Sequence, residues 1–581
     1  MVDTNRQRAD VVQHFKHWDV RPLAPREHFR AFPAVHPLVI QLLWGRGIQQ
    51  AADVAAFLAP NEVPLSSPWE MRGVPEAVER LLLARQRGET VVVYGDYDAD
   101  GVASTALLTE CLTALGFTVL SFIPRRDREG YGLNELALDR LREQGAQVIL
   151  AVDCGITAVA EVAHAAALGL DVIVADHHHV PENLPGAVAV INPHQPGCLY
   201  PFKDLCAVGI AYKLATALGE RTSQSSGWAD RWLDLVAIGT VADVVPLRGE
   251  NRSLVARGLK LLNPPKRPGL RALAVVAGVP ENRITSQSIA FILAPRLNAA
   301  GRLADAEVSL HLLLTSSAAD ARELAIELDG TNRQRQDKTQ EMLGLARRDL
   351  IGPTAADPLP KLLMITNASF HQGIVGLVAG KLVEEFHRPV LVAENVDGVV
   401  RGSARSIDGF HIADALARCG EHLLRHGGHA LAAGFTLEAA RLDQLREKLQ
   451  TIAAAEIPDG ACEPRLAIDA EIALRKHDGD LYAQLGQLEP FGCENTRPVF
   501  VSRAVRVLER RVVGSNPPGH LKLTLLDGDR HWDAMGFGMG DRLPSHVDRI
   551  DLVFQLERHE YDGQTSVRLR LLDLGPATPR T

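Results

Sequence analysis

Aromatic residues make up only 5% of this 581-residue chain, so base or ligand stacking rests on few candidate rings. No apolar stretch approaches the ~20 residues that a membrane helix needs, and the opening MVDTNRQRADVVQHFKHWDV is too polar for a signal peptide. The seven cysteines include no C-x-x-C pair, and their odd number fits reduced thiols in a cytoplasm better than a disulfide framework. An excess of basic residues is also lacking. The net charge of −9 taken alone argues against nucleic acid, but carboxylates that hold cations contribute negative charge that those cations cancel. Internal repeats and low-complexity tracts are absent. What remains is the composition of an ordinary globular protein, 46% hydrophobic and 23% charged, long enough for several domains. The expected setting is cytoplasmic, with no membrane partner.

Residues 1–75 read as a small, partly helical lead-in. From 76 the pattern becomes α/β: ETVVVYGD, AQVILAVDCG and LDVIVADHHH are short Val/Ile/Leu runs separated by amphipathic Ala/Leu-rich segments. Such alternation predicts a parallel sheet covered on both faces, in a domain over 76–317 whose later part is helix-rich. Residues 318–350 read as one long connector helix. A second α/β segment spans 351–455. From 460 to 581 the texture changes to alternating apolar and polar residues around Asp-Gly turns, as in LKLTLLDGDRHW, which predicts a small antiparallel sheet or barrel, an OB-fold being one candidate.

The chemistry concentrates where the strands end. VVVYGDYDADG places Asp96, Asp98 and Asp100 at alternate positions directly after a β-branched run. An EF-hand loop would need an oxygen ligand at its twelfth position, which here is Leu107, and would follow a helix. The EF-hand reading therefore fails. Two more strands run into Asp153, and into Asp176, His177, His178 and His179, while LDLVAIGTVADVVPL carries Asp243 in an apolar helical segment where a lone carboxylate is costly to bury. In open parallel sheets the crevice beyond the carboxyl ends of the strands is where sites form. Several carboxylates with an imidazole suit a pair of Mn²⁺ or Mg²⁺ ions rather than zinc, and such a pair can drive phosphoryl displacement. Asp153 is the candidate bridge. Each residue alone has a bland reading as a turn or helix cap; their joint placement does not.

GDYDADG, VDCG, DHHH and ADVVPL, in this order, resemble the four signature motifs of DHH phosphoesterases. EGYGLN (129–134), LNAAGR (297–302), SFHQGIVGLVAGKL (369–382), GSARS (402–406), GGHALAAGF (427–435) and LEPFGCENTRPVF (488–500) extend the likeness to the RecJ family within them. The resemblance implies metal ligation by Asp98, Asp100, Asp153, His178 and Asp243, with Asp96 and His177 in or just outside that set, and catalytic roles for Asp98, Asp100, Asp153, His177, His178 and Asp243. It implies phosphate contacts from Arg302, Ser403, Arg405 and His429, and ligand approach near His371–Gly373, with Gly376 and Gly380 assigned to helix packing. Two departures stand out. Tyr94 lies where many DHH enzymes carry a histidine, and Glu494 where the family usually has glycine.

The activity so implied is 5′→3′ hydrolysis of single-stranded DNA to 5′-mononucleotides in DNA repair and recombination, by a monomer working with a single-strand-binding protein and a helicase. A basic face of Arg333, Arg335 and Lys338 on the connector helix, and Arg503, Arg506, Arg510 and Arg511 near the C-terminus, are further candidates for the DNA path. Phe537 and Tyr561 are candidates for base stacking. Two rivals are a DHH-type phosphodiesterase for oligonucleotides or cyclic dinucleotides, and a non-catalytic DNA-binding scaffold.

Overall fold

The computed structural model describes residues 17–125, 130, 132–351, 359–477, 480–514, 518–544, 546–561 and 564–577, apart from the side chains of 560, 561, 564 and 565. The chain forms two compact units. One comprises 49–335 with 488–496, and the other comprises the N-terminal residues to 48 with 336–487 and 497–581.

The first unit is built on a five-stranded sheet of β1 (Thr90–Tyr94), β2 (Thr118–Phe122), β3 (Ala146–Val152), β4 (Asp171–Ala175) and β5 (Ala189–Ile191). All pairings are parallel, and the order is β2-β1-β3-β4-β5. This is a doubly wound arrangement whose connections reverse between β1 and β3, the position at which such sheets open a crevice. The central strands are buried on both faces because their residues are continuously apolar; Val91, Val92, Val93 and Ile149 have no exposed surface. Helix Ala99–Ala114 follows β1 and is enclosed nearly all round, as expected of a helix apolar on every side. Helices Ala207–Arg221 and Leu233–Ala242 pack beside it in the same core. The sequence pattern anticipated β1, β3 and β4. It missed β2 and β5, which are short edge strands.

Helix Ala318–Ile351 extends over 34 residues, as its uninterrupted periodicity suggests. Of its three candidate basic residues, Arg333 and Lys338 are exposed. Arg333 pairs with Asp329 at 2.8 Å, and Asp329 also receives Arg296 at 2.9 Å; Arg335 is half-buried.

In the second unit, β6 (Leu363–Asn367), β7 (Val390–Val396), β8 (Val399–Arg405), β9 (Arg425–Gly428) and β10 (Ala432–Glu438) form a mixed sheet ordered β9-β10-β8-β7-β6. Only β6 and β7 are parallel. Further along lie β11 (Phe500–Val513), β12 (His520–Asp527), β13 (Arg530–Gly536), β14 (Arg549–Tyr561) and β15 (Gln564–Pro576). Here β11 pairs with both β12 and β14, and β13 with β15, closing a five-stranded barrel. Closure leaves no free sheet edge, and the β13–β15 pair is parallel. Strand His17–Val20 pairs in parallel with Arg465–Ile468, and from it Trp18 Nε1 donates to Asp573 at 2.8 Å.

The other oxygen of Asp573 holds Arg542 at 2.8 Å, both side chains being only 3% exposed. Removing one partner leaves a charge buried without compensation. Asp573→Ala is expected to cost the barrel about 3–5 kcal/mol in urea unfolding; a loss below ~1 kcal/mol would mean that the pair is not a structural fixture.

Candidate metal centre

The loop after β1 is shaped by its own carboxylates. Asp98 Oδ1 accepts from the backbone N–H groups of Asp100 at 2.9 Å and Gly101 at 3.1 Å, capping helix Ala99–Ala114. Gly101 is required here, since a Cβ would come within 2.6 Å of the Asp96 carbonyl oxygen. Asn298 Oδ1 accepts from Ala99 N–H at 2.6 Å. Asp100 reaches the other way: its oxygens accept from Ala207 N–H at 2.7 Å and Val208 N–H at 3.0 Å, at the start of helix Ala207–Arg221. Helix Leu233–Ala242 passes close by only because residue 239 is glycine, whose added Cβ would lie 2.6 Å from Asp100 Oδ1.

Asp153 follows β3 with φ 62°, in the left-handed region that a residue other than glycine, Asn or Asp rarely occupies. Asp176 follows β4 and is 1% exposed. Its Oδ1 accepts from His178 N–H at 3.1 Å and lies 2.7 Å from His178 Nδ1, while Oδ2 accepts from Ile156 N–H at 3.0 Å. That contact fixes the His178 ring through Nδ1, so coordination by this residue would be through Nε2. Asp243 terminates helix Leu233–Ala242, where the helix dipole disfavours an anion.

These groups converge. Ligand atoms of Asp96, Asp98 and Asp153 lie within 4.8 Å of one another, as do those of Asp153, His177 and His178, and those of Asp100, Cys206 and Asp243. Asp153 belongs to two of the three sets. His177 Nε2 stands 3.2 Å from Asp153 Oδ1 and 3.7 Å from Asp243 Oδ2, yet both oxygens are buried with no hydrogen-bond donor among the described residues. Burial, then the charges of Asp98, Asp100, Asp96 and Asp243, push the Asp153 carboxyl well above the usual carboxylate range. Burial, Asp100 and Asp98 do the same to Asp243. Asp100 is pushed up to about 7 by burial and Asp98, against the pull of the Val208 and Ala207 amides. Burial, the largest single effect, works to raise Asp176 and to lower His178. Their hydrogen bond and mutual attraction, with the His178 and Ile156 amides on Asp176 and the charges of Asp96 and Asp98 near His178, together leave Asp176 lowered and His178 raised. Buried acids with bare, converging oxygens fit divalent cations: the donor set is oxygen-rich with imidazole nitrogen, and suits Mn²⁺ or Mg²⁺.

Tyr94 does not take part. It is fully buried, donates to the Gly132 carbonyl at 2.9 Å and receives Asn134 Nδ2 at 3.1 Å. Asp176, Cys206 and Asn298 belong to this neighbourhood; Asp176 lies in the strand-end run and Asn298 in LNAAGR, whereas nothing in the sequence pattern singles out Cys206.

Arg302 is half-buried in the last turn of helix Ala294–Leu303, four residues beyond Asn298. In the second unit Arg405 Nη1 donates to Ser403 Oγ at 2.7 Å, and Gly376 leaves them room, since a Cβ there would sit 3.0 Å from Arg405 Nη2 and 3.2 Å from Ser403 Oγ. Gly380 is no packing residue, because a Cβ on it would meet nothing within 4 Å. His371 Nδ1 accepts from Gly373 N–H at 3.1 Å ahead of helix Val375–Phe386, and exposed His429 lies in the turn between β9 and β10. On the barrel, Arg503 pairs with Asp551 at 3.1 Å, Arg511 with Glu509 at 2.5 Å, and Arg510 donates to the Leu543 carbonyl; Arg506, Arg510 and Arg511 are exposed and Arg503 is half-buried. Phe537 is 46% exposed, with the Arg568 and Arg570 guanidinium carbons each 5.9 Å from its ring centre. The Tyr561 side chain, Glu129 and Tyr131 lie outside the described residues.

A parallel sheet that brings Asp-x-Asp-x-Asp, Asp-Cys-Gly and Asp-His-His from three strand ends to one switch point defines a DHH-type phosphoesterase frame. The model of the DHH family, N-terminal domain, matches residues 90–240, that of the DHHA1 domain 360–455, and that of the RecJ OB domain 468–573. The chain is 38% identical over 549 residues to the single-stranded-DNA-specific exonuclease RecJ of Bacillus subtilis, covering 93% of this chain and 68% of that one. It is 35% identical over 567 residues to the protein of the same name from Escherichia coli, covering 93% and 96%. The crystal structure of Thermus thermophilus RecJ in complex with Mn²⁺ superposes with a TM-score of 0.82 at 32% identity, over 97% of this chain and 80% of that one. The chain belongs to the RecJ family. Among the described residues no helix is long and apolar enough to cross a membrane.

Two outcomes follow from the geometry. Asp176→Asn removes the charge that orients His178 and is expected to weaken Mn²⁺ binding by about 10- to 100-fold in a calorimetric titration; unchanged affinity would exclude His178 from the centre. Raised carboxylate pKa values also predict a pH dependence. The folded, metal-free protein keeps these acids protonated more readily than the unfolded chain, so their contribution to stability is complete below about pH 4 and lost as pH rises through the folded values, about 7 for Asp100. Cations bind the ionised forms. The rise in melting temperature on adding Mn²⁺ should therefore be larger at about pH 8 than at about pH 5.5, and an equal rise at both would contradict the assignment.

Proposed function

We propose that the chain is a metal-dependent exonuclease that degrades single-stranded DNA in the 5′→3′ direction and releases 5′-mononucleotides. The observation that carries this reading is the pair of buried, donor-free oxygens of Asp153 and Asp243 facing one imidazole nitrogen. Asp96, Asp98, Asp100, Asp153, His178 and Asp243 would hold two divalent ions, Mn²⁺ or Mg²⁺, with Asp153 between them and His177 beside them. When bound, the ions supply a water nucleophile at neutral pH and charge stabilisation for in-line displacement at phosphorus. Asp153 and Asp243 would help to hold the ions, Asp176 would fix the His178 ring, and His177, which lies beside both carboxylates, would donate a proton to the leaving 3′ oxygen when protonated.

Arg302, His371, Ser403, Arg405 and His429 would bind the terminal and scissile phosphates. The Ser403–Arg405 pair is pre-set for this, since a guanidinium held by a hydroxyl presents its remaining donors in a fixed fork. Phe537, exposed and close to the Arg568 and Arg570 guanidiniums, would offer a base-stacking platform on the barrel, and single-strand binding by such barrels combines aromatic and basic groups. Polarity, action in DNA repair and recombination, a cytoplasmic setting, a monomeric state, and co-operation with a single-strand-binding protein and a helicase come from the family resemblance. The domain division proposed is 1–75, 76–317, 318–350, 351–455 and 460–581.

The test uses long single-stranded DNA labelled at either end, a blunt duplex and a cyclic dinucleotide, each with Mn²⁺, Mg²⁺ or chelator. Immediate, metal-dependent release of the 5′ label as mononucleotide, lost in Asp153→Ala while the circular dichroism spectrum is kept, is the expected result. Preferential turnover of the dinucleotide would favour a small-substrate phosphodiesterase, and tight DNA binding without cleavage a scaffold.

A further inference from the structure

Residues 488–496 lie next to the barrel in sequence but pack into the first unit, against the segment that carries Asp243. Leu247 N–H donates to the Cys493 carbonyl at 2.9 Å. Gly492 presses on Leu247 so closely that a Cβ would stand 2.5 Å from Leu247 Cδ1, and Leu247 is 1% exposed. The loop is held from behind by Arg252, 2% exposed, whose guanidinium donates to the carbonyls of Leu488 at 3.0 Å, Pro490 at 3.2 Å and Glu489 at 2.7 Å, and to Phe57 at 3.1 Å. Ser286 Oγ donates to the Phe491 carbonyl at 2.6 Å. Glu494 has φ 55°, a left-handed conformation that accounts for glycine being the family's usual residue there. The Glu494 side chain pairs with Arg248 at 2.9 Å.

The reason for so much fastening is found one residue after Asp243. Val244 has φ 61°, which is an outlier for a β-branched residue, and its side chain is 66% exposed, so it gains little burial in return. Such strain persists only where the surroundings over-determine the backbone. We infer that the 488–496 loop is a brace that holds 244–247 in this strained path, and that through it Gly492 and Arg252 are positioning residues for Asp243. The inference rests on Asp243 being a metal ligand. It assigns to the chain entering the barrel a part in shaping a metal centre to which it contributes no ligand.

Gly492→Ala pushes the loop off Leu247, whereas Val244→Gly lets the backbone take the left-handed path without strain; both keep every proposed ligand. Expected for Gly492→Ala is Mn²⁺ affinity about three- to tenfold weaker by electron paramagnetic resonance titration, with faster hydrogen exchange of the Leu247 amide in the metal-free, full-length protein. Val244→Gly alone should bind Mn²⁺ within about twofold of the parent, and added to Gly492→Ala it should recover most of the lost affinity, which a general loss of structure would not allow. Parental affinity in Gly492→Ala, or a double variant as weak as Gly492→Ala alone, would overturn the brace, as would a Leu247 amide that exchanges freely in the parent. If the parent itself binds no Mn²⁺, the metal reading fails, while the exchange of Leu247 still decides whether the loop holds the segment.

Discussion

Mutual repulsion among buried carboxylates is the constraint from which the rest of the first unit follows. Asp96, Asp100 and Asp153 are each at most 4% exposed, and burial of like charges at such spacing is unfavourable unless something positive stands between them. The fold assembles them all the same, by placing two strand ends at the switch point of a doubly wound sheet. It then commits helix N-terminal amides to Asp100, a left-handed backbone to Asp153 and a strained turn to the residue after Asp243. None of these choices is favourable by itself. Together they form a site prepared for divalent cations.

The second unit works by different physics. Its sheet presents an arginine already oriented by a serine, and its barrel closes on itself and buries an ion pair of opposite charges, Arg542 and Asp573, rather than a cluster of like ones. On the barrel Arg506, Arg510 and Arg511 of β11 are exposed, and the exposed ring of Phe537 has the Arg568 and Arg570 guanidiniums close by, Arg568 being itself paired with Glu557.

The strands that carry the site were legible because Val91–Val93, Val148–Val152 and Val172–Ala175 are continuous apolar runs that end abruptly in acids. TVLSF and AVI escaped notice because a short edge strand with mixed burial leaves little pattern. The ligand candidates were legible for the same reason as their strands. Asp176 was seen only as a member of an Asp-His-His-His run, and its task of fixing the His178 ring needs the coordinates, as do Cys206 and Asn298, which come from helices far away in sequence. Charge alone does not show that Arg333, Arg503 and Arg511 each have a carboxylate within reach, while Arg333 and Arg511 remain exposed. Tyr94 looked like a defect in a ligand set and is instead a core residue with its hydroxyl satisfied.

The central claim is that this constellation holds two cations with Asp153 between them. Counting Mn²⁺ bound per chain at saturation, by electron paramagnetic resonance of the free ion, tests it most directly. The account predicts two ions in the parent protein and fewer than two tightly held ions in Asp153→Asn, with the fold unchanged. A single ion in the parent, or two that persist at full affinity without the Asp153 charge, would contradict it.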